Sequence, residues 1–217
     1  MVIDDQVLAR LPIFPLPDVV LFPGTILPLH VFEPRYVEMT RDVVGGSRRI
    51  GIVRLRPGYQ SDYQGRPPIY PVATLGEVIA CQELPDDRFA MIVRGSDRIA
   101  VTRELPALRA YREVAAIALP DRAVDEREVA IQRHQLVAVC EQLAARLGDE
   151  GVWLRQLVHA ADGASALSHA LAASLVRDPD RRQELFEQCD PATRIDQLLE
   201  HASGLLSRLG AAPSAAN

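Results

Sequence analysis

The spacing of apolar and polar residues along the chain changes near Pro120. Up to that residue, short apolar runs rich in β-branched residues alternate with Gly, Pro, Asp and Ser, which is typical of strands separated by turns. Beyond it, apolar residues recur every three or four positions in stretches rich in Ala, Leu, Arg and Glu, which is typical of amphipathic helices. The sequence therefore predicts an α+β protein with a β-rich domain over 1–120, a helical bundle over 121–210 and a mobile tail over 211–217.

Several segments of the first part have the composition of strands. Their centres are apolar on both faces, as in 78–81, which is typical of a small closed or nearly closed barrel partly covered by other elements. Pro28 restricts its segment to an edge or a bulge, and Pro34 begins a short helix that ends near Val44. The turn residues 95–97 are expected to separate two strands. The predicted strands are 25–32, 49–56, 74–84, 88–94, 99–105 and 111–119.

Proline is unusually frequent between Leu11 and Gly24. Four of these fourteen residues are prolines. Because proline lacks a backbone N–H and fixes φ, neither a helix nor a central strand is expected to run through this segment. We expect extended edge and turn structure there.

The second part predicts a series of helices. A long helix is expected over 124–147, followed by a short segment at 153–160 and a helix over 165–176. Asp-Pro pairs at 178–179 and 190–191 each place a capping acid before a first-turn proline, so each predicts a helix start. The last helix has a long apolar stripe, which is compatible with either a bundle core or the seam of a homodimer. The stripe consists of Ile195, Leu198, Leu199, Ala202, Leu205, Leu206 and Leu209.

Composition and charge exclude several classes of protein. With 48% hydrophobic and 24% charged residues, the chain resembles an ordinary soluble globular protein. A formal net charge of -5 disfavours nucleic-acid binding by bulk electrostatics. The first residues lack the positive region of a signal peptide, and no apolar run approaches the roughly 18 residues that span a bilayer. Cys81, Cys140 and Cys189 lie far apart, which favours a reducing compartment, so we expect a cytoplasmic protein with no membrane association.

The basic residues exclude specific chemistries. All 24 are arginine, and the chain contains no lysine. A Walker A loop, a Schiff-base enzyme and a Ser-Lys hydrolase each need a lysine. The sequence also lacks the H-E-x-x-H, G-x-S-x-G and G-x-G-x-x-G motifs, and no histidine pair has metal-ligand spacing. We therefore expect no catalytic activity, no cofactor and no metal site. Trp153 is expected to be packed within the fold.

One basic run is a candidate for RNA binding. It combines four arginines with the nearby Tyr59, an arrangement that can neutralise and stack on a single strand. The simpler interpretation, which we favour, is a strand whose apolar centre at 50–53 is buried and whose ends are solvated. The arginines are Arg48, Arg49, Arg54 and Arg56.

The opening of the chain resembles a known family. The run LPIFPLPDVVLFPGTILPLHVFEPRY at 11–36 is closely similar to the opening signature of the N-terminal substrate-binding domain of ATP-dependent Lon proteases. The likeness continues in IGIVRLRPG at 50–58, YPVATLG at 70–76, FAMIVRGSDRI at 89–99 and the final Asp-Pro helices. It covers nearly the whole chain.

This resemblance implies both a fold and the absence of an activity. The family's domain is a small PUA-like β-barrel followed by a helical bundle, which agrees with the division inferred from composition. In Lon proteases it precedes an ATPase module and a Ser-Lys protease module, and a chain without lysine supplies neither. We therefore expect a stand-alone Lon N-domain protein that is classed with peptidases but has no peptidase activity.

The resemblance also suggests what the protein binds. We expect a non-catalytic protein that binds unfolded or flexible polypeptide segments, as an adaptor or holdase for a separate ATP-dependent protease. The alternatives are an RNA-binding PUA-like module and a small-molecule site in the mouth of the barrel. For each aromatic residue taken singly, the interpretation that we favour is that it fills the barrel and its plug; these residues are Phe14, Phe22, Phe32 and Tyr36. The candidate polypeptide contacts are Ile13, Phe14, Val19, Leu21 and Phe22.

Overall fold

In the computed structural model, residues 4–211 are described, and they form two compact units, Met1–Pro120 and Asp121–Asn217. The first unit holds a sheet and two helices, α1 and α2, and the second holds five helices, α3 to α7. An α+β chain with a β-rich first part and a helical second part is thereby confirmed. Of the predicted tail at 211–217, Ala211 is the last residue of the final helix, and 212–217 lie outside the described residues. Within 4–211, no helix combines the length and apolar character that crossing a bilayer requires.

Six strands of the first unit form one curled sheet. Its strand order is β2-β5-β4-β3-β1-β6, and β5 also pairs with β6. All described pairings are antiparallel except that between β1 and β3. Pairings link β5, β4, β3, β1 and β6 in a ring, but β2 pairs with β5 alone, so the sheet as a whole is not a completely closed barrel and keeps an open edge. The strands are β1 Leu11–Leu16, β2 Ile26–Val31, β3 Arg49–Arg54, β4 Val72–Leu84, β5 Arg88–Glu104 and β6 Arg112–Ala118.

The expectation of edge structure in the proline-rich segment is wrong for β1, which lies between β3 and β6. The pairing with β6 covers residues 11–13 and that with β3 covers 13–16, so the two are offset along the strand. The Leu16 carbonyl accepts a hydrogen bond from the Leu55 N–H, so the backbone of Leu16 faces β3 and that of its neighbour Pro15 faces the opposite side. On that side the pairing with β6 has already ended at Ile13. Pro12 lies before Ile13, the first residue that pairs with β3. Neither proline therefore stands where a neighbouring strand needs a backbone N–H.

The break expected at 95–97 is also wrong, because β5 runs without interruption from Arg88 to Glu104. The turn residues form a β-bulge instead of a break: the register of the β4–β5 pairing shifts between Leu75 and Gly76. Gly95 permits a close approach, since a Cβ there would lie 2.5 Å from the Phe22 carbonyl oxygen. Its own N–H and carbonyl hydrogen-bond with Thr25 and Gly24.

The core of the first unit lies between the sheet and α2, Pro34–Gly45. Pro34 occupies the first turn of this helix, as its sequence predicts. Tyr36 on α2 stacks on Phe14 with ring centroids 4.2 Å apart. A second cluster, centred on Leu11, Ile99 and Val114, includes Leu8 of α1, Asp5–Ala9. Side-chain contacts of this kind, between residues far apart in the sequence, hold the curled sheet together.

In the second unit, α3 and α5 both contact α7. The helix α3 begins at Ala130, six residues later than predicted, because Asp125 accepts hydrogen bonds from the following backbone and makes 125–129 a turn. Both Asp-Pro starts are confirmed: Asp178 accepts from the Arg181 N–H, and Asp190 accepts from the Ala192 N–H. The helices are α3 Ala130–Leu147, α4 Val152–Ala160, α5 Gly163–Leu175, α6 Pro179–Glu187 and α7 Pro191–Ala211.

A buried ion pair joins α7 to the start of the second unit. Arg194 has no exposed surface, and its Nη2 lies 2.6 Å from Asp121 Oδ2. The same guanidinium donates to Ser168 Oγ on α5 at 2.8 Å and to the Gln188 carbonyl at 2.6 Å. Nothing in the sequence pattern marks Arg194, which lies one residue before the apolar stripe of the last helix.

Candidate functional site

Most of the predicted polypeptide contacts are core residues. Phe22 and Ile13 have no exposed surface, Leu21 is 3% exposed and Phe14 is 7% exposed. Val19 is half-buried. The favoured interpretation of the aromatic residues is therefore correct for Phe14, Phe22 and Tyr36, which lie in the interior of the first unit, and wrong for Phe32, which is exposed. The binding hypothesis needed Ile13 and Phe14 on an exposed edge, which proline density suggested, whereas β1 is an interior strand.

The arginine run does not form one basic surface. Arg54 is 5% exposed, and its guanidinium donates to the Pro17 carbonyl. Arg48 donates to the Val78 carbonyl, and Arg56 donates to the Ile69 carbonyl. Arg49 lies 3.6 Å from Glu77. Because these four side chains contact other groups of the first unit, with Arg54 and Arg56 both over the ring of Tyr70, the geometry does not favour RNA binding along this strand.

The structure reveals a different candidate at the open edge of the sheet. Beyond the pairing of Arg49 with Glu77, β4 has left β3, and β4, β5 and β2 continue as a three-stranded extension. Alternate residues of these strands point to the same side. We call the outward side of this extension the β2–β5–β4 face. It is formed by Ile26, Pro28, His30 and Phe32, by Ala80, Gln82 and Leu84, and by Ala90 and Ile92.

The opposite side of the same strands is buried. Val31, Phe89, Met91 and Val93 belong to the core cluster that α2 covers. Strand alternation then forces the neighbouring residues outward. The cross-strand partners Pro28 and Ile92, for example, are both exposed.

Large apolar side chains remain exposed on the β2–β5–β4 face. Phe32 is 66% exposed, Ile26 is 61% exposed and Ile92 is 36% exposed. The ring of Phe32 lies edge-on to that of His30, with centroids 6.3 Å apart, so both side chains share this side. Ile79, at the bulge between Val78 and Ala80, adds a further apolar side chain that is 43% exposed. A soluble protein that exposes neighbouring apolar side chains in this way commonly uses them for binding.

A groove of about 490 Å³ runs across the face, lined by Pro28, His30, Ala80, Leu84 and Ile92 among others. Within the described residues, the outer edge of β2 has no strand partner, and neither does the edge of β4 beyond Val78. Each open edge presents backbone N–H and carbonyl groups to a further strand. The site therefore offers apolar contacts beside unpaired backbone.

Charges flank the face at one end. Arg94, the partner of Ile26, lies 2.7 Å from Glu77, and a hydrogen bond from this arginine is the main cause of a lowered pKa for Glu77. Burial raises the pKa of Cys81, which lines the groove and packs against the core cluster, so this thiol is poorly suited to nucleophilic chemistry. Within 4–211, no three His, Cys, Asp or Glu side chains are close enough to hold a metal ion. The arrangement supports binding.

Sequence reasoning missed these residues although a signal existed. Ile26, Pro28, His30 and Phe32 alternate along β2, and the strand was recognised as an edge because of its proline. Which of its two sides faces solvent depends on α2, which folds back over the other side. That packing cannot be read from the local pattern. Trp153, which was expected to be packed within the fold, is 43% exposed on α4.

Comparisons with known proteins agree with this fold. The family model described as the ATP-dependent protease La (LON) substrate-binding domain matches residues 10–203. A Lon protease of Anaeromyxobacter dehalogenans is 27% identical over 200 residues, which is 90% of this chain and 23% of that protein. A Lon protease of Rhizobium meliloti is 27% identical over 93% of this chain and 25% of its own length. The chain thus spans about a quarter of the length of these curated relatives.

Two solved structures have a similar fold. A Lon N-terminal domain protein from Xanthomonas campestris superposes with a TM-score of 0.63 at 23% identity, over 88% of this chain and 97% of that one. The N-terminal domain of a Mycobacterium avium complex Lon protease superposes with a TM-score of 0.67 at 18% identity, over 89% of this chain and 98% of that one.

Proposed function

Because the chain belongs to the family of ATP-dependent protease La (LON) substrate-binding domains, we propose that it binds unfolded or flexible polypeptide segments through the β2–β5–β4 face. A polypeptide that has lost its fold exposes apolar side chains and unpaired backbone groups. The observation that carries the proposal is the coincidence of exposed apolar residues with two open strand edges on one surface.

The apolar part of the face supplies affinity. Ile26, Phe32 and Ile92 are already positioned on strands or directly beside one, so binding orders few additional side chains. An aromatic or aliphatic side chain of the client would be removed from water in the groove between β2 and β4. Burial of apolar area is worth about 25 cal/mol per Å² before the costs of association are subtracted.

The open edges supply contacts that do not depend on the client's sequence. An extended segment that adds to β2 or β4 satisfies its own backbone groups by sheet hydrogen bonds. Pro28, at the centre of β2, has no N–H to donate, which limits continuous pairing along that edge. Short, reversible engagement is the expected mode, as suits a protein that releases its clients.

The proposed role is non-catalytic. The family match is to a substrate-binding domain, and no lysine is available for a Ser-Lys protease dyad. A holdase or an adaptor for a separate ATP-dependent protease fits a binding face without an associated catalytic group. The reducing cytoplasm, inferred from cysteine usage, is the proposed location.

Binding of a permanently unfolded client tests the proposal. The affinity of a fluorescently labelled, reduced and carboxymethylated protein would be measured by anisotropy, without ATP. Light scattering from a heat-unfolding client would be followed in parallel. We expect micromolar binding and suppressed aggregation with the wild-type chain. Ile26→Ser combined with Phe32→Ser is expected to weaken binding at least tenfold, since contacts at the centre of an interface are commonly worth about 1 kcal/mol or more each.

A matched pair of exposed apolar residues provides the control. Leu108 is 71% exposed and Ile117 is 57% exposed, and both lie in the same unit. Ile117 pairs with Ala100 on β5, about 26 Å along the strand from Ile92 at 3.3 Å per residue. Leu108→Ser combined with Ile117→Ser should leave affinity unchanged. Equal losses in both double variants would rule out this face as the binding site, and no binding by the wild-type chain would rule out the function.

A further inference from the structure

A second groove, of about 510 Å³, adjoins the β2–β5–β4 face at Phe32. The last residue of β2, Val31, pairs with Phe89 near the start of β5, so Phe32 lies beside the turn that joins β4 to β5. The groove is lined by residues of this turn and of α2, and we call it the Phe32 groove. Its apolar lining consists of Phe32, Pro34 and Val37. Because Phe32 belongs to both surfaces, a chain segment that lies along the face ends at this groove.

The Phe32 groove has more acidic than basic side chains. Four carboxylates line it, and Arg41 is the one basic residue of its lining. Glu38 comes from the middle of α2, and within the described residues its carboxylate has no ion pair or hydrogen bond. Two further acids belong to the turn and are exposed to solvent. The lining acids are Glu38, Asp42, Asp86 and Asp87.

The ion pairs of these side chains do not remove the negative excess. Arg41 is shared between two acids, since it lies 3.0 Å from Asp87 and 3.8 Å from Glu83. Asp86 and Asp42 have one arginine each. With all these partners counted, five carboxylates face three guanidinium groups, which leaves two negative charges in excess. The two further arginines are Arg88, 3.3 Å from Asp86, and Arg109, 3.4 Å from Asp42.

The other charges along the face are matched. At the opposite end, Glu77 lies 2.7 Å from Arg94 and 3.6 Å from Arg49. On α2 and its cap, Glu33 pairs with Arg35 at 2.9 Å and adds no net charge to the Phe32 groove. A client on the β2–β5–β4 face therefore meets an excess of acids at its Phe32 end.

The geometry points to a basic side chain of the client as the occupant of the Phe32 groove, so that preferred clients carry arginine or lysine beside their apolar residues. This inference rests on the polypeptide binding proposed above and adds a charge preference to it. Ile26 and Phe32 are six residues apart, or about 20 Å along an extended strand. A client whose apolar residues cover this length reaches the groove with the residue that follows them. Its cationic group there complements the unmatched carboxylates, and its aliphatic stem packs on Phe32.

Peptides that differ only beside their apolar segment test this preference. Three fluorescently labelled peptides would share one apolar centre and carry Arg-Arg, Gln-Gln or Glu-Glu at both ends, so that either strand direction is tested. Anisotropy at low ionic strength would give their affinities. We expect the Arg-Arg peptide to bind about fivefold more tightly than the Gln-Gln peptide, as an exposed ion pair allows, and the Glu-Glu peptide to bind most weakly. This preference should vanish at about 1 M sodium chloride, where the Debye length is about 3 Å.

Variants with matched charge changes locate the preference. Glu38→Gln should lower the ratio of the Arg-Arg to the Gln-Gln affinity about twofold, and the addition of Asp86→Asn should bring it close to one. Asparagine tolerates the left-handed backbone of Asp86, whose φ is 61°. Asp5→Asn makes the same charge change at an exposed position of α1, which packs on the second core cluster, and should leave the ratio unchanged. Thermal unfolding checks that each variant is folded.

The outcomes distinguish this inference from the proposed function. Equal affinities for the three peptides, or an equal fall of the ratio in Glu38→Gln and Asp5→Asn, would overturn the charge preference and leave polypeptide binding in place. The same conclusion follows if the Arg-Arg peptide does not bind to a chain that binds the carboxymethylated client. Failure to bind that client as well would overturn the proposed function itself.

Discussion

Removal of the Asp121 carboxylate should destabilise the second unit far more than removal of a surface acid. In the Asp121→Ala variant the Arg194 guanidinium stays fully buried and keeps only Ser168 and the Gln188 carbonyl as partners. Loss of one member of a buried ion pair costs about 3–5 kcal/mol. Asp121 also accepts from the Ser165 hydroxyl, which loses this partner in the same variant. We therefore expect the free energy of unfolding of this unit to fall by about 3–5 kcal/mol.

Urea unfolding measures this loss. Trp153 is the one tryptophan of the sequence and lies on α4, so its fluorescence reports on the second unit, with far-UV circular dichroism as a second probe. With a slope of about 1–3 kcal/mol per M, the midpoint should fall by about 1–5 M. Glu184→Ala is the control, since Glu184 pairs with Arg181 at 2.8 Å on the surface of α6 and such pairs contribute about 0–1 kcal/mol.

A double variant shows whether the loss of stability comes from the missing ion pair or from the single charge that is left buried. Asp121→Leu combined with Arg194→Met removes both charges and fills the space with apolar atoms, which is often neutral or stabilising for a buried pair. We expect it to recover most of the stability lost in Asp121→Ala. A loss below about 1 kcal/mol in Asp121→Ala would refute the argument, because it would mean that the buried guanidinium does not need its carboxylate.

Two further predictions concern the first unit. Gly95→Ala should lower its stability by more than about 1 kcal/mol, because the new Cβ would lie 2.5 Å from the Phe22 carbonyl oxygen, whereas Gly45→Ala, with open space around it, should not; urea midpoints compare them. Burial raises the pKa of Tyr36 to about 12, so between pH 10 and 12 the unfolded chain loses a proton that the folded chain keeps, and stability falls as the pH rises. The wild-type chain should lose about 2–3 kcal/mol more than Tyr36→Phe across this range in alkaline urea titrations, and equal losses would contradict a buried neutral Tyr36.

The sequence predicts where the helices and strands lie better than it predicts which of them pack side by side. The positions of α2, α6 and α7 follow from Pro34, Pro179 and Pro191, because a first-turn proline acts through local backbone geometry. β1 was misplaced because proline excludes a ladder hydrogen bond only on the side that its nitrogen faces. Which side that is depends on strands almost forty and a hundred residues away.

The candidate site was predicted less well for a related reason. Phe14 and Phe32 have similar local surroundings, each in a strand-like run and within two residues of a proline, yet Phe14 is 7% exposed and Phe32 is 66% exposed. The difference arises because α2 covers one side of the extension and not the other. The ion pairs of Glu104 are equally hard to read from the local sequence. Its partners Arg66 and Arg112 lie on different elements, one before and one after it in the chain.

The pairing of β1 with both β3 and β6 also sets an order of events during synthesis. Residues 11–13 form their antiparallel ladder with 112–114, and Arg10 pairs with Glu113 at 2.7 Å. At a translation rate of about 5–20 residues per second, β6 follows β1 from the ribosome after roughly 5–20 s. During that interval the apolar side chains of β1 have only β3 as a strand partner. Pairing between residues so far apart in the sequence slows folding. The nascent first unit should therefore itself be prone to aggregation until Pro120 has been synthesised.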